Sequence, residues 1–256
     1  MNITFFGSCS RETEDRSSVS FVIENEESNL LVDCGPGMIS GMKKANKKAS
    51  DINNIVLTHV HGDHISSFAY FVWYRNIERL GEESPKDLNV YGQSDVLELA
   101  KYNLEHMYPE MKWPFKIIYH DVSLETQFEC DTLKIEPFKA IHSVPCIGIA
   151  VSFSKKKIVY SSDTLPNDEI LKYSKNADML IHEGMLMKER EELAKKVKHS
   201  TGKDAGKMAK NANVKMLVLV HIEPNVFGKE KALIKEVKEE YSGIISIPIE
   251  GTVYSI

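Results

Sequence analysis

Short apolar runs rich in Val, Ile and Phe, each closed by turn residues, fill the first third of the chain at residues 2–6, 19–24, 29–32 and 54–57. Runs of this length and composition predict strands. Residues 38–48 predict a short helix with lysines gathered toward its end, and residues 65–80 predict a second, dense in aromatics. A strand at 89–91 and a helix at 94–107, with Ser94 as its cap, follow. The pattern returns to strands at 115–119, 133–138, 148–153 and 157–160. The last third alternates: strand 179–181, helices 186–196 and 202–212, strand 216–220, helix 229–241 and a final strand pair. Strands with interleaved helices predict a layered α/β architecture. Periodicity leaves a parallel sheet and a two-sheet sandwich both open. No repeat, low-complexity tract or linker interrupts the pattern, so one domain over residues 1–256 is expected.

Composition narrows the function classes. A length of 256 residues allows a sizeable core. A net charge of −5, with both signs mixed along the chain, argues against a long nucleic-acid footprint, Lys155, Lys156 and Lys157 being a local exception. No apolar run approaches the roughly 20 residues of a membrane span. The first residues read as a strand rather than a signal peptide. Cys9, Cys34, Cys130 and Cys146 are scattered without a CxxC pair, which points to reduced thiols and a cytoplasmic protein.

The chemistry concentrates after the fourth apolar run. Residues 55–57 lead into His59, His61, Asp63 and His64, three histidines and a carboxylate within six residues. Neutral imidazole and carboxylate are the natural ligands of zinc and similar divalent ions. In an extended segment His59 and His61 point to one side, and a turn at Gly62 would swing Asp63 and His64 toward a second ion. Three further apolar runs each lead to a ligand-type residue: His142, Asp163 and His221. Taken singly they read equally well as a turn residue, a helix cap and a half-buried histidine. Together with the first motif they read as one site.

The set His59, His61, Asp63, His64, His142, Asp163 and His221 resembles the metallo-β-lactamase superfamily, most closely its ribonuclease Z branch. Four more segments resemble that branch: the early motif at residues 31–37, the bridging-aspartate motif at 160–164, Ile181-His182-Glu183-Gly184, and His199-Ser200-Thr201. The resemblance spans nearly the whole chain, in family order. It implies an α/β fold of four layers (αββα), two mixed β-sheets flanked by helices, with two Zn2+ ions at the open edge, Mn2+ or Fe2+ being alternatives. It implies that His59, His61 and His142 bind the first ion, that Asp63, His64 and His221 bind the second, and that Asp163 bridges them. A metal-activated hydroxide would then be the nucleophile. His199 would donate a proton to the leaving oxygen, with Glu183 orienting it. The competing reading of residues 199–201 is a cap for the helix at Gly202. Asp33 is expected to brace the metal loop, His182 to be structural, and His106 and His120 to have no role.

Members of the branch that process transfer RNA usually carry a long Gly/Pro-rich arm between the positions of His142 and Asp163. Here these residues are only 21 apart, and two strands with a tight lysine-rich turn fill the interval. The chain therefore resembles the armless relatives, among them cyclic-nucleotide phosphodiesterases such as the phage anti-Pycsar enzymes that destroy cyclic-nucleotide alarm signals. The expected activity is hydrolysis of 3′,5′-cyclic nucleotides, in the host cytoplasm if phage-encoded, by a homodimer. RNA is a less favoured partner and a membrane is not expected. The alternatives are a ribonuclease Z-type tRNA 3′ endonuclease and a thioester hydrolase of the glyoxalase II kind. The latter shares the ligand set but not the Glu183 and His199 motifs. A binding module without catalysis would be marked by lost ligands, and all seven positions are intact. The aromatic stretch Phe68, Tyr70, Phe71, Trp73 and Tyr74 reads as a buried helix face or dimer contact. Residues 108–115 read as a loop that a lid could use.

Overall fold

The computed structural model describes residues 1–81, 85–124 and 126–256. Strands β1 (Asn2–Gly7), β2 (Ser20–Glu24) and β3 (Asn29–Val32) pair antiparallel. The β2–β3 turn is closed by the Asn25 side chain, which accepts from the N–H groups of Glu27 and Ser28 at 2.9 and 2.8 Å. Three strands then add in parallel: β4 (Asn54–Val56), β5 (Leu88–Gly92) and β6 (Ile117–Asp121). A parallel step needs a crossover. Helices supply it: α1 (Met38–Lys44) before β4, α2 (Gly62–Ile65) and α3 (Phe68–Glu78) before β5, and α4 (Ser94–Met107) before β6. The chain's last strand, β14 (Val253–Ser255), returns to the far side of β1.

The second sheet repeats this order, antiparallel strands first and parallel ones after. β7 (Phe128–Cys130), β8 (Leu133–Lys139), β9 (Ile147–Phe153) and β10 (Lys156–Tyr160) form an antiparallel meander. Onto β10 are added, in parallel, β11 (Met179–Glu183), β12 (Met216–Val220) and β13 (Ile244–Ser246). Helices α5 (Asp168–Ser174), α6 (Glu191–Val197), α7 (Gly202–Asn211) and α8 (Glu230–Lys238) connect them. Among the described residues each sheet has seven strands.

Alternation along the strands sorts the side chains into layers. Ile3 and Phe5 enter the core between the sheets with Phe21, Ile149 and Tyr160, whereas Phe6 faces α1 and joins Met38, Phe68 and Phe71. On the other side Leu180, Leu217 and Leu219 meet Ala205, Ala209, Leu233 and Val237. The result is helix, sheet, sheet, helix, the four-layer αββα arrangement expected from the sequence. The C-terminal ends of β3, β4, β10, β11 and β12 all open toward one edge, where ligands bind in sheets of this kind.

Several boundaries differ from the sequence pattern. The helix expected at 38–48 ends at Lys44, because Asn46 takes a left-handed conformation (φ 54°). The one expected at 65–80 is broken around Ser66 and Ser67, whose N–H groups bond to Gly62 and Cys34 carbonyls. Gln93, not Ser94, is the cap position of α4, and no side chain caps it. The strand expected at 115–119 begins at Ile117, since Phe115 turns into the helix–sheet core. The short β7 and α5 lack a long enough period to show in sequence. Asp163 does not cap a helix: Asn167 caps α5, its side chain accepting from Ile170 N–H at 3.1 Å.

Helix α1 lies so close to β1 that a Cβ on Gly41 would sit 1.9 Å from the Phe6 carbonyl oxygen. Gly41→Ala is therefore expected to lower stability by about 1–3 kcal/mol through overpacking, against the roughly 1 kcal/mol that Ala contributes in a helix interior. A urea-unfolding midpoint at or above that of the parent would contradict this contact.

Candidate metal centre

The site is built outward from Asp33, which follows β3. Its backbone is left-handed (φ 59°), a conformation tolerated by Asp and avoided by most residues. That turn is held by Asp33 N–H to the Val56 carbonyl (3.0 Å) and by the Ser20 hydroxyl to the Asp33 carbonyl (2.9 Å). The carboxylate is fully buried. It accepts from Thr58 N–H (2.9 Å), from the Thr58 hydroxyl (3.0 Å) and from His64 Nδ1–H (2.8 Å). With its proton given to Asp33, the Thr58 hydroxyl accepts from His59 Nδ1–H at 3.0 Å. One carboxylate thereby sets the tautomer of two histidines. The Nε2 atoms of His59 and His64 are left buried and without a hydrogen-bond partner.

Those nitrogens face residues from the second sheet. Asp163 follows β10, after Ser162 in a left-handed turn (φ 54°), and His221 follows β12 in the same conformation (φ 57°). Asp163 Oδ2 lies 3.2 Å from His221 Nε2, 3.3 Å from His64 Nε2, 3.7 Å from His59 Nε2 and 4.0 Å from His142 Nε2. Its Oδ1 is buried and unpartnered. His142, in the loop after β8, donates Nδ1–H to the Lys198 carbonyl (3.1 Å) and places Nε2 3.0 Å from His61 Nδ1. His221 Nε2 is 3.1 Å from Asp63 Oδ2.

Among the described residues three groups result, each with ligand atoms within 4.8 Å of one another: His59, His61, His142 and Asp163; Asp63, His64, Asp163 and His221; and Glu183, His199 and His221. Asp163 belongs to the first two. Nitrogen ligands of a tetrahedral zinc at about 2.0–2.1 Å would be about 3.3 Å apart, close to the spacing of His61 and His142. Orphaned buried lone pairs converging at this distance fit a divalent ion. All seven residues named from sequence meet here.

The electrostatics point the same way. Burial, with His64 and the other imidazoles adding to it, holds His59 well below the usual histidine range, so its lone pair stays free. His61 and His142 are lowered too, chiefly by burial. His64 is the exception: burial opposes its charge, but Asp163 and Asp33 outweigh burial and raise it. Asp63 is likewise held low despite burial, through its His221 hydrogen bond and His64. Buried carboxylates surround this spot and demand a positive charge, which a proton or a cation can supply.

Beside the centre lies a second pair. Glu183 ends β11, fully buried. One oxygen accepts from the Thr164 N–H and from His199 Nδ1–H (3.0 Å), the other from Ser200 N–H (2.9 Å). The His199 ring stacks on His221, centroids 5.0 Å apart, and lies 4.8 Å from the His142 ring. Burial opposes protonation of His199, yet Glu183 outweighs it and holds the imidazole up to about 9. Capping and placement beside the site coexist here: Thr201 forms a capping box with Asp204 on α7, while His199, two residues earlier, faces Glu183.

His182 is fully buried and donates Nδ1–H to the Glu183 carbonyl at 2.6 Å. His106 lies exposed on α4, and His120 on β6 bonds to Asn89. Phe68 and Phe71 fill the helix–sheet core, while Tyr70, Trp73 and Tyr74 form an outer row on which Tyr108 stacks. Trp113 and Phe115 pack onto the same layer. Thr58 and Lys198 were not singled out from sequence. A hydroxyl flanking a ligand histidine hinted at the first, and nothing in the spacing marks the second.

A family model described as "Anti-Pycsar protein Apyc1" matches residues 1–233. Among curated proteins, ribonuclease Z of Prochlorococcus marinus (strain MIT 9515) is 29% identical, covering 92% of this chain and 91% of its own. That alignment runs over 292 residues, more than the 256 of this chain, so the relative carries insertions that this chain lacks. Among solved structures, the metallo-β-lactamase fold protein YhfI from Bacillus subtilis superposes with TM-score 0.86 at 23% identity, over 99% of this chain and 98% of its own. Human tRNase Z, short form, gives TM-score 0.83 at 23% identity over 100% and 99%.

Asp33→Asn keeps a side chain that tolerates the left-handed turn but removes the charge that orients His64 and, through Thr58, His59. Zinc affinity measured by competition with a chromophoric chelator is expected to fall about 10- to 100-fold. Affinity equal to the parent's would show that Asp33 does not organise the ligands.

Proposed function

The chain belongs to the anti-Pycsar protein Apyc1 family, within the ribonuclease Z-like branch of the metallo-β-lactamase superfamily, and from that premise we propose that it hydrolyses 3′,5′-cyclic nucleotides to nucleoside monophosphates. The coarser reading, a metal-dependent phosphodiesterase, follows from the family, the fold and the clustered ligands. The observation that carries the finer one is the interval between His142 and Asp163. It is filled by the β9–β10 hairpin, turned at Ser154 with φ 56°. No segment is left there to grip a transfer RNA, and a small diester suits the site. Depletion of a cyclic-nucleotide immune signal is the matching biological role.

His59, His61 and His142 would hold one Zn2+ and Asp63, His64 and His221 the other, with Asp163 available to both. Mn2+ or Fe2+ would suit the same donors. Two such ions supply Lewis acidity that activates water and neutralises phosphate charge. The protein's own part lies in orientation and proton transfer. Asp63 presents Oδ2 toward His221. Glu183 occupies Nδ1 of His199 and stabilises its charge, so that a proton is held at Nε2 at neutral pH. From there it passes to the ribose oxygen that leaves phosphorus, because an alkoxide departs poorly without one. The Glu183 side chain, fixed by two backbone N–H groups, keeps the imidazole aligned throughout.

A cytoplasmic setting fits four buried, unpaired cysteines. Among the described residues no helix is long and apolar enough to cross a membrane. A homodimer through the α3–α4 face is part of the same reading, since Tyr70, Ile77, Leu80 and Met107 are exposed there. Sedimentation across a dilution series is expected to show a dimer, and monomer at every concentration would remove it.

The decisive assay compares 3′,5′-cyclic nucleotides with a precursor tRNA, using zinc-loaded protein and an Asp63→Ala control. Cyclic-nucleotide turnover lost in the control is expected. Cleavage of the precursor without cyclic-nucleotide turnover would instead establish the endonuclease. His199→Ala is expected to lower kcat about 10²- to 10⁴-fold with zinc content unchanged, and unaltered turnover would remove the proton-donor role.

A further inference from the structure

Helix α6 ends in a turn whose position between two functional histidines has a use. Lys198 is its C-cap, left-handed at φ 59° and ψ 49°. Glycine most often takes such a place, with Asn next. Of the other positive-φ residues outside glycine among those described, five are Asn or Asp: Asp33, Asn46, Asp131, Asn176 and Asn213. Lys198 has no such intrinsic tolerance. The turn is kept by backbone bonds from Lys198 N–H to Lys195 (3.2 Å) and from His199 N–H to Ala194 (2.9 Å). It aims the Lys198 carbonyl away from the helix and at His142, whose Nδ1–H it accepts at 3.1 Å. The Lys198 ammonium reaches back to the His142 carbonyl at 3.2 Å. The two residues therefore clasp each other twice, once through each carbonyl. The next residue in the chain is His199, bonded to Glu183 at 3.0 Å.

We propose that Lys198 is a positioning residue. Its carbonyl fixes the His142 tautomer that leaves Nε2 facing His61 and Asp163, and its ammonium pins the loop that carries His142. One peptide unit thereby sets the third histidine of the first ligand group and the histidine held by Glu183 in fixed relation. This rests on the assignment of His142 as a ligand and is independent of which diester is cleaved.

The test is zinc affinity resolved into two equivalents by chelator competition, with His142→Ala as reference. His142→Ala is expected to lose one equivalent. Lys198→Gly keeps the turn and the carbonyl but lacks the ammonium, and is expected to weaken that same equivalent about threefold. Lys198→Val, whose β-branch resists positive φ, is expected to weaken it about tenfold or more. Lys198→Arg is expected to restore it, and the other equivalent is expected to stay unchanged. In the zinc-loaded parent, long-range ¹H–¹⁵N spectra should show a slowly exchanging Nδ1 proton on His142, and this measurement decides if Lys198→Val does not fold.

Parent-like affinity in both the Gly and Val variants overturns the inference. So does equal weakening of both equivalents, or a rapidly exchanging His142 Nδ1 proton in the parent. A raised KM with zinc affinity untouched also overturns it, making Lys198 a substrate contact. Unchanged zinc binding in His142→Ala would instead remove the ligand assignment itself, whatever the Lys198 variants do.

Discussion

Everything at the open edge depends on a carboxylate that never touches solvent. Asp33 is buried with hydrogen bonds from Thr58 and His64, and an unpaired charge at that depth would cost several kcal/mol. The cost is offset by donors that are themselves parts of the site. Because the charge must be satisfied, Thr58 and His64 are held, and because Thr58 is held, His59 is too. The pairing also explains why Asp33 adopts a left-handed backbone at the end of a strand. An extended residue there would continue β3 and carry the carboxylate past Thr58.

The same device recurs at the ends of β10, β12 and helix α6. Ser162 before Asp163, His221 itself, and Lys198 between His142 and His199 in space are all left-handed and none is glycine. Sparsely populated backbone persists where surrounding structure over-determines it, and it collects at functional sites. Here that structure is the inter-sheet core, whose strands are hydrogen-bonded on both sides and buried at Val56, Tyr160 and Val220. A rigid sheet allows a tight turn to be aimed, and aimed turns bring together residues far apart in sequence.

Much of this was legible before the structure. The HxHxDH run announces itself because four ligand-type residues in six positions have no packing rationale, and the apolar run before it marks the strand that positions it. The four layers were legible through family resemblance, whereas periodicity left the sheet arrangement open. What stayed hidden has short range or no side-chain signature. β7 and α5 are too short for a period to register, and the break at Ser66 and Ser67 depends on the Cys34 carbonyl, a tertiary partner. Lys198 acts through a backbone carbonyl, so its residue type carries no hint of its place. Ser94 looked like a cap, yet an N-cap is defined by its extended backbone and by what its side chain accepts. Gln93 holds that backbone position, and Ser94 is already helical.

The charge distribution of the site and of the surface answer different questions, and keeping them apart decides the substrate argument. The centre sets two buried carboxylates, Asp33 and Asp163, and the half-buried Asp63 against His59, His61 and His142, which burial holds below the usual histidine range. It is therefore cation-seeking in isolation and anion-binding only once loaded, which ties affinity for a phosphodiester to metal occupancy. The chain as a whole carries a formal −5, the site's own carboxylates included, so no large positive net charge gathers a polyanion, and phosphate contacts far from the centre would have to come from local lysines. A transfer RNA draws most of its affinity from many such contacts. A cyclic nucleotide has a single phosphate, which in the proposed activity would sit at the metal centre. A loaded centre on a mildly acidic body, with a hairpin where a gripping arm would stand, would under the proposed function discriminate by the number of phosphates a substrate must have recognised. One is enough for the small diester.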